Sequence, residues 1–241
     1  MKGVILAGGE GTRLLPCTKL INKTCLPLYD KPIIYYTIQT LVSAGLEEIL
    51  IITGGEHAGD LLKLLGNGKE FGLKEIHYTY QEQPNGIAHG LQLAEDFADS
   101  EKIVFILADN IFEDSIKEDI KAFENQKWGA RLFLKKIPDP ERFGVAEVKG
   151  DKIINIEEKP KKPKSDLAVT GLYMYDSQVF DVIRTLKPSA RGEYEITDVN
   201  NFYIQKNIAT YRILKGFWSD VGTFESLYKT SQFIARKKSI K

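Results

Sequence analysis

Apolar residues in this chain gather in short unbroken runs separated by segments of helical spacing. "GVILA" (3–7), "EILIIT" (48–53) and "KIVFILA" (102–108) are apolar at successive positions rather than alternate ones. A strand reads this way when both its faces are buried, as in a parallel sheet flanked by helices. Between the runs the period changes. Ile34, Ile38 and Leu41 recur at intervals of four and three, and Ile116, Ile120 and Phe123 do the same after the third run. The β-α-β-α order predicts an α/β fold with a doubly wound sheet, whose ligands lie beyond the C-terminal ends of the strands.

Past residue 129 the texture differs. "ARLFLKKI" (130–137) alternates in part, and "VAEVKGDKIINIEEK" (145–159) predicts a hairpin turning at Gly150-Asp151. "LAVTGLYMY" (167–175) is a further strand, and Val179, Ile183 and Leu186 mark a helix stopped before Pro188. A last helix starts at Thr223, with Phe224, Leu227, Tyr228 and Ser231 on one face. No Gly-, Ser- or Pro-rich linker divides the chain. The expectation is therefore a single domain over 1–241, with a core in 1–128 and added antiparallel strands in 129–241 that cover it.

Composition narrows the partners. Lys plus Arg equals Asp plus Glu at 33 each, so no overall field points to nucleic acid or an acidic membrane. The basic "RKKSIK" at the C-terminus reads as a solvated tail. Two cysteines, Cys17 and Cys25, give no disulfide framework, and no run approaches a signal peptide or a membrane span. A reducing, cytoplasmic setting is expected.

The chemistry begins in "GVILAGGEGTRLLP" (3–16). Gly8, Gly9 and Gly11 follow a strand, where backbone N–H groups can converge on an anion. The P-loop sequence of Gly, Lys and Ser or Thr is absent, and Leu14 stands where the dinucleotide fingerprint needs a third glycine. In their place come cations, Arg13, Lys19 and Lys23, which suit a triphosphate. Farther on, Asp109 ends the third apolar run, where such a sheet puts its ligand. A second carboxylate from far along the chain would let the two hold Mg²⁺ between phosphates. Asp220 in "FWSDVGT" is the candidate, with a helix N-cap as its structural alternative, a role that Thr223 can also fill. His57, His77 and His89 match no catalytic or metal spacing.

These residues sit in a longer pattern. "LAGGEGTRLLPCTKLINKTCLP" resembles the opening of the nucleotidyltransferases that make sugar nucleotides, LAGG-x-GTRL-x-P followed by a Lys before Leu-Pro. The likeness continues through "YDKPIIYY" (29–36), "QPNGIAHG" (83–90), "LADNIF" (107–112), "ERFGVAEV" (141–148), "EEKP" (157–160), "AVTGLYMYD" (168–176), "RGEYEITDVN" (191–200) and "FWSDVGT" (217–223). It is strongest toward the glucose-1-phosphate thymidylyltransferase branch. The resemblance implies a three-layer sandwich with a Rossmann-like, mostly parallel mixed sheet and antiparallel strands over the sugar site. It also implies a homo-oligomer.

The roles it implies fall residue by residue. Leu6, Ala7, Gly8, Gly9, Gly11 and Thr12 would cradle the nucleotide, and Arg13, Lys23 and Lys159 would be the catalytic cations. Asp109 and Asp220 would hold Mg²⁺, with Asn110 beside them on the substrate. Gln81, Gly86 and Ile87 would meet the base, since a Gln both donates and accepts, as the imide edge of thymine or uracil requires. Gly144, Glu158, Tyr173 and the backbone of Val169, Thr170 and Gly171 would meet the sugar. "RGEYEITDVN" is expected to open a helix with a Glu-rich first turn, in a structural or a sugar-pocket role.

The implied reaction condenses dTTP with α-D-glucose 1-phosphate to dTDP-glucose and pyrophosphate. UTP or another sugar 1-phosphate is the alternative within the class, and a non-catalytic sugar-nucleotide binder the alternative outside it. Two departures from the family pattern stand out. "LADN" replaces the more frequent Gly before Asp-Asn, and the chain stops soon after "SQFIARKKSIK", which puts a feedback site in doubt.

Overall fold

The three apolar runs become neighbouring strands of one nine-stranded sheet in the computed structural model, which describes residues 1–239. The first half contains β1 (Lys2–Leu6), β2 (Pro27–Leu28), β3 (Lys31–Pro32), α1 (Ile33–Ser43), β4 (Glu48–Gly54), α2 (Ala58–Leu65) and β5 (Glu75–Gln81). Then come α3 (Ile87–Gln92), α4 (Glu95–Ala98), β6 (Ile103–Leu107), β7 (Asn110–Phe112) and α5 (Lys117–Asn125). The second half contains β8 (Ala130–Lys136), β9 (Gly144–Lys149), β10 (Lys152–Glu158), β11 (Leu167–Tyr175), α6 (Val179–Thr185) and α7 (Ile196–Gln205). It ends with β12 (Ala209–Ile213), β13 (Trp218–Asp220) and α8 (Phe224–Ser239).

Strands β6, β1, β4 and β5 run parallel in that order, so their C-terminal ends share one edge of the sheet. β11 joins β6 antiparallel, and β8 pairs with the other side of β11. Strands from both halves of the chain thus lie in one sheet.

Unbroken apolar runs follow from packing on both faces. Val4, Phe105, Tyr173 and Tyr175 face one cluster with Leu91 of α3, Val179 of α6 and Val199 of α7. Their neighbours Ile5, Val104, Ile106, Leu172 and Met174 face the other, with Ile34 and Ile38 of α1, Leu61 of α2 and Phe123 of α5. These are the two outer layers of the sandwich. A third, small cluster joins Leu14, Leu28, Ile33, Ile111, Val221 and Ile234. It ties the glycine-rich loop, the β7–β13 ribbon and α8 into one support.

The hairpin β9–β10 turns at Gly150, whose φ of 62° needs glycine. It prolongs the sheet as a side wall and does not lie over the core. α8 packs through Leu227, Thr230 and Ile234, a different stripe from the expected one, so Phe224 and Tyr228 face outward. Thr223 caps it, its hydroxyl accepting from the Ser226 N–H at 3.2 Å, which frees Asp220 from a capping role. α7 begins only at Ile196, which leaves Glu193 and Glu195 in the preceding loop and not in a helical first turn. None of these helices is long and apolar enough to cross a membrane.

Both cysteines are free, Cys17 exposed and Cys25 half-buried. Burial, with the Asp60 carboxylate nearby, pushes the Cys25 thiol up to about 11. At pH 8 a thiol reagent is therefore expected to label Cys17 in a fast phase and Cys25 in a slow one. Cys17→Ser should remove the fast phase; a single common rate would contradict this placement.

Candidate active site

β11 runs antiparallel to β6 and extends past its end, and that overhang creates a cleft. Residues 172–175 of β11 pair with β6, whereas Ala168 pairs with β9. β8 occupies the opposite edge at both places, so β6 and β9 lie end to end along the same edge of β11. At the fork between them, over residues 169–171, the sheet opens into a cavity of about 650 Å³. Thr12, Arg13, Ile87, Gly144, Glu158 and Lys159 line it. Asp109, Asn110, Val169, Gly171, Tyr173 and Asp220 also line it.

Asn110 keeps the fork open. Its Oδ1 accepts from the Gly171 N–H (3.2 Å) and the Trp218 indole N–H (2.8 Å), and its Nδ2 donates to Asp109 Oδ1 (3.0 Å). Every polar atom of this buried side chain is engaged, so Asn110 serves as a strut. Gly171 is required there, because a Cβ would stand 2.7 Å from Asn110 Nδ2.

The two carboxylates meet across a short ribbon. β13 pairs antiparallel with β7, which sets Asp220 opposite Asn110, and the Val221 N–H donates to the Asp109 carbonyl at 2.8 Å. Lys23 reaches the same point from a 3₁₀ turn and donates to Asp109 Oδ2. Asn22 holds that turn by donating to the Ala7 carbonyl and accepting from the Thr24 N–H. The glycine loop then closes over Lys23. A Cβ on Gly9 would lie 3.3 Å from its Nζ, and Gly11, at φ +65°, would bring a Cβ to 2.9 Å from the Lys23 Cβ.

Burial disfavours both charges of the Lys23–Asp109 pair, but their attraction and hydrogen bond prevail. Lys23 is raised above the ordinary lysine value and Asp109 held below the usual carboxylate range. Asp220 is the excess anion. Burial, then the charge of Asp109, pushes it up to about 6. Its Oδ1 is buried with no hydrogen-bond partner, and the Arg13 guanidinium stands 3.9 Å from Oδ2.

A bare buried carboxylate oxygen beside a second carboxylate suits a small hard cation. No group of three or more His, Cys, Asp or Glu among the described residues could hold a metal ion. Two protein carboxylates, completed by water and phosphate oxygens, match the coordination Mg²⁺ prefers.

Of the residues that the resemblance assigns to the nucleotide or to catalysis, Leu6, Ala7, Gly8, Gly9, Gly11, Lys23, Gln81 and Gly86 lie outside the cleft lining. They gather at the C-terminal ends of the parallel strands, where Gln81 of β5 pairs with Gly54 of β4. A Cβ on Gly8 would stand 3.2 Å from Gln81 Oε1, so the loop and the Gln81 amide face each other. Gly86, at φ +105°, packs against the backbone of Tyr194; a Cβ there would reach 2.6 Å from the Tyr194 oxygen.

At the end of β10, Glu158 and Lys159 both face the cleft, which the alternation of an extended strand forbids. Lys159 solves this with φ +44°, a left-handed conformation costly for a side-chain-bearing residue, held by its N–H on the Phe143 carbonyl at 3.0 Å. Glu158 accepts from Thr197 Oγ1 at 2.5 Å, and the missing side chain of Gly144 leaves room for that bond. Burial, then the Glu158 charge, raises the Tyr173 phenol far above its ordinary value, so it is a hydrogen-bond donor. Thr170 turns the other way, its hydroxyl on the Phe133 carbonyl, and takes no part in the lining.

The cleft also holds residues that the sequence analysis did not single out by themselves. Arg191 makes two contacts with Glu195, at 3.1 and 2.7 Å, and lies 3.5 Å from both Glu158 and Glu193. Arg142, Phe143 and Trp218 complete the wall, with Phe143 edge-on to Trp218 at 5.1 Å. All four lie inside the quoted motifs. Their types alone did not separate a lining residue from a supporting one.

Comparison with known proteins bears on this geometry. The sequence model of the family described as nucleotidyl transferase matches residues 2–237. A glucose-1-phosphate thymidylyltransferase of Neisseria meningitidis is 44% identical, over all of this chain and 84% of the relative. One of Mycolicibacterium smegmatis is 43% identical, over 97% of this chain and 82% of the relative. Among solved structures, a candidate glucose-1-phosphate thymidylyltransferase of Bacillus anthracis in complex with a sucrose is 51% identical, with a TM-score of 0.92 over 97% of this chain and 94% of that one. A UDP-glucose pyrophosphorylase complexed with UDP-glucose is 26% identical, with a TM-score of 0.86 over 98% of each chain. With a match spanning nearly its whole length and a Rossmann-like mixed sheet in common with these structures, the chain belongs to the nucleotidyl transferase family.

Proposed function

We propose that this chain is a glucose-1-phosphate thymidylyltransferase, which condenses dTTP with α-D-glucose 1-phosphate to dTDP-glucose and pyrophosphate. The site observation that carries the reading is the bare Asp220 oxygen beside the Lys23–Asp109 pair, at the junction of the nucleotide and sugar sides. The thymidylyl reading over a uridylyl one follows the relatives named for it, at 43–44% identity, against 26% for the UDP-glucose enzyme.

Direct in-line displacement suits these residues. The sugar phosphate is already largely a dianion near neutral pH, its second pKa being about 6, and needs no protein base. The barrier lies in bringing two anions together and in carrying charge on the departing pyrophosphate. Mg²⁺ held by Asp109 and Asp220 would neutralise phosphate oxygens when bound. Arg13, more than half exposed at the cleft wall, neutralises the triphosphate, and Lys23 orients Asp109 and adds positive charge under the glycine loop. Lys159 holds the sugar phosphate, while Glu158 and Tyr173 offer an acceptor and a donor to sugar hydroxyls. A homo-oligomeric state and a reducing, cytoplasmic setting belong to the same reading, on the resemblance and on the two free cysteines.

Pyrophosphate release assayed across dTTP, UTP, ATP and GTP with several sugar 1-phosphates tests it. The highest kcat/KM is expected for dTTP with glucose 1-phosphate. Preference for UTP moves the assignment within the class. No release with any pair leaves a non-catalytic sugar-nucleotide binder.

A further inference from the structure

Gln81 reads as a base contact, but an amide can present either its oxygen or its nitrogen, and the choice decides which base is read. The Gln81 side chain, only 6% exposed, lies between Gly8 and Gly90. Its Nε2 faces the Gly86 carbonyl at 3.4 Å and His89 Nδ1 at 3.2 Å. The Gly86 oxygen can only accept, so the nitrogen belongs on that side. His89 Nδ1 must then accept too, with the ring proton on Nε2. Oε1 is left with no protein donor among the described residues, facing Gly8 and Gly90, where no side chain blocks it.

The histidine is itself held. Its ring stacks on Tyr194 at 6.1 Å and 25°. The Tyr194 backbone is pinned at both ends, its N–H on the Asn85 carbonyl at 2.8 Å and its carbonyl on the Ala88 N–H at 3.2 Å. The held ring and the Gly86 carbonyl thus stand on the same side of the amide, and a Nδ1 that accepts reinforces the orientation that the carbonyl selects.

We propose that His89 is a positioning residue for base selection: by accepting from the Gln81 amide it turns the Gln81 carbonyl oxygen toward the nucleotide. This rests on the thymidylyltransferase reading and deepens it. A carbonyl presented there pairs with the N3–H of an imide base, thymine or uracil. It opposes the N3 lone pair of cytosine, which leaves two acceptors face to face.

The test compares dTTP with dCTP in pyrophosphate release, with glucose 1-phosphate, for the wild type, His89→Leu and His89→Gln. The wild type should prefer dTTP over dCTP by at least about a hundredfold. His89→Leu removes the acceptor, so that ratio should fall about tenfold, chiefly through a higher KM for dTTP. His89→Gln can still accept through its own carbonyl and should restore most of the ratio. A merely structural role would lower kcat for both nucleotides and leave the ratio alone. An unchanged ratio in an active His89→Leu enzyme, or a His89→Gln enzyme indistinguishable from it, overturns the role of His89. The wild type needs no substitution to be informative: equal use of dCTP and dTTP overturns the orientation of Gln81. A wild type that uses neither overturns the thymidylyltransferase reading itself, and with it this inference.

Discussion

Replacing Asp109 by alanine is expected to reduce pyrophosphate release at least about a thousandfold at saturating Mg²⁺. Asp109 is one of two carboxylates at the centre of the cleft, and the one that fixes Lys23. Removing a partner from a buried ion pair ordinarily costs about 3–5 kcal/mol. Here Asp220 stands close enough to raise Lys23 by its own charge, and losing Asp109 removes the repulsion that helps push Asp220 up to about 6. Lys23 is thus expected to turn to Asp220, and the variant should fold with a melting temperature lowered by only a few degrees. The paired measurement is thermal unfolding beside initial rates. Turnover at the wild-type rate, or trapping of a covalent nucleotidyl-enzyme, would overturn direct displacement at a two-carboxylate site.

Lys159→Gly is expected to separate stability from activity. The lysine adopts φ +44°, a conformation glycine reaches without strain. Relief of up to about 1 kcal/mol, partly offset by the greater freedom of glycine in the unfolded chain, should raise the melting temperature by about 1–3 °C. Activity should fall at least about a hundredfold, because the left-handed turn aims Lys159 into the cleft beside Glu158. Steady-state kinetics and calorimetry on one preparation decide the matter. A lower melting temperature would show that the backbone at 159 is not strained. Retained kcat/KM would remove Lys159 from the reaction.

The layered fold was legible in the chain, because burial on both faces of β1, β4 and β6 leaves unbroken apolar runs that few other arrangements produce. So was the position of Asp109 in the cleft, since a carboxylate ending an apolar strand stands at the strand ends of such a sheet. Side-chain direction was not. Asn110 lines the cleft as a substrate contact would, but its hydrogen bonds to Gly171 and Trp218, which join it only through β11 and β13, could not be read from the chain. The Glu-rich segment before α7 looked like a helical first turn. In the fold those glutamates hold Arg191 at the cleft, because the helix starts only at Ile196. The outward stripe of Phe224 and Tyr228 on α8 was equally invisible, since periodicity marks a face without saying what lies against it.

By itself, then, the sequence determined the alternation of buried strands and helices in the first half, the glycine loop with its cations and the motif residues of the family, all carried by local pattern; β5 and β12, whose residues are mostly half-buried or exposed, left no such pattern. The tertiary structure alone decided the fork in β11, the approach of Asp220 to Asp109 and the facing of the Gln81 amide. Each of these depends on contacts between residues far apart in the chain, where strand register and a neighbour's hydrogen bonds choose a direction that residue type leaves open.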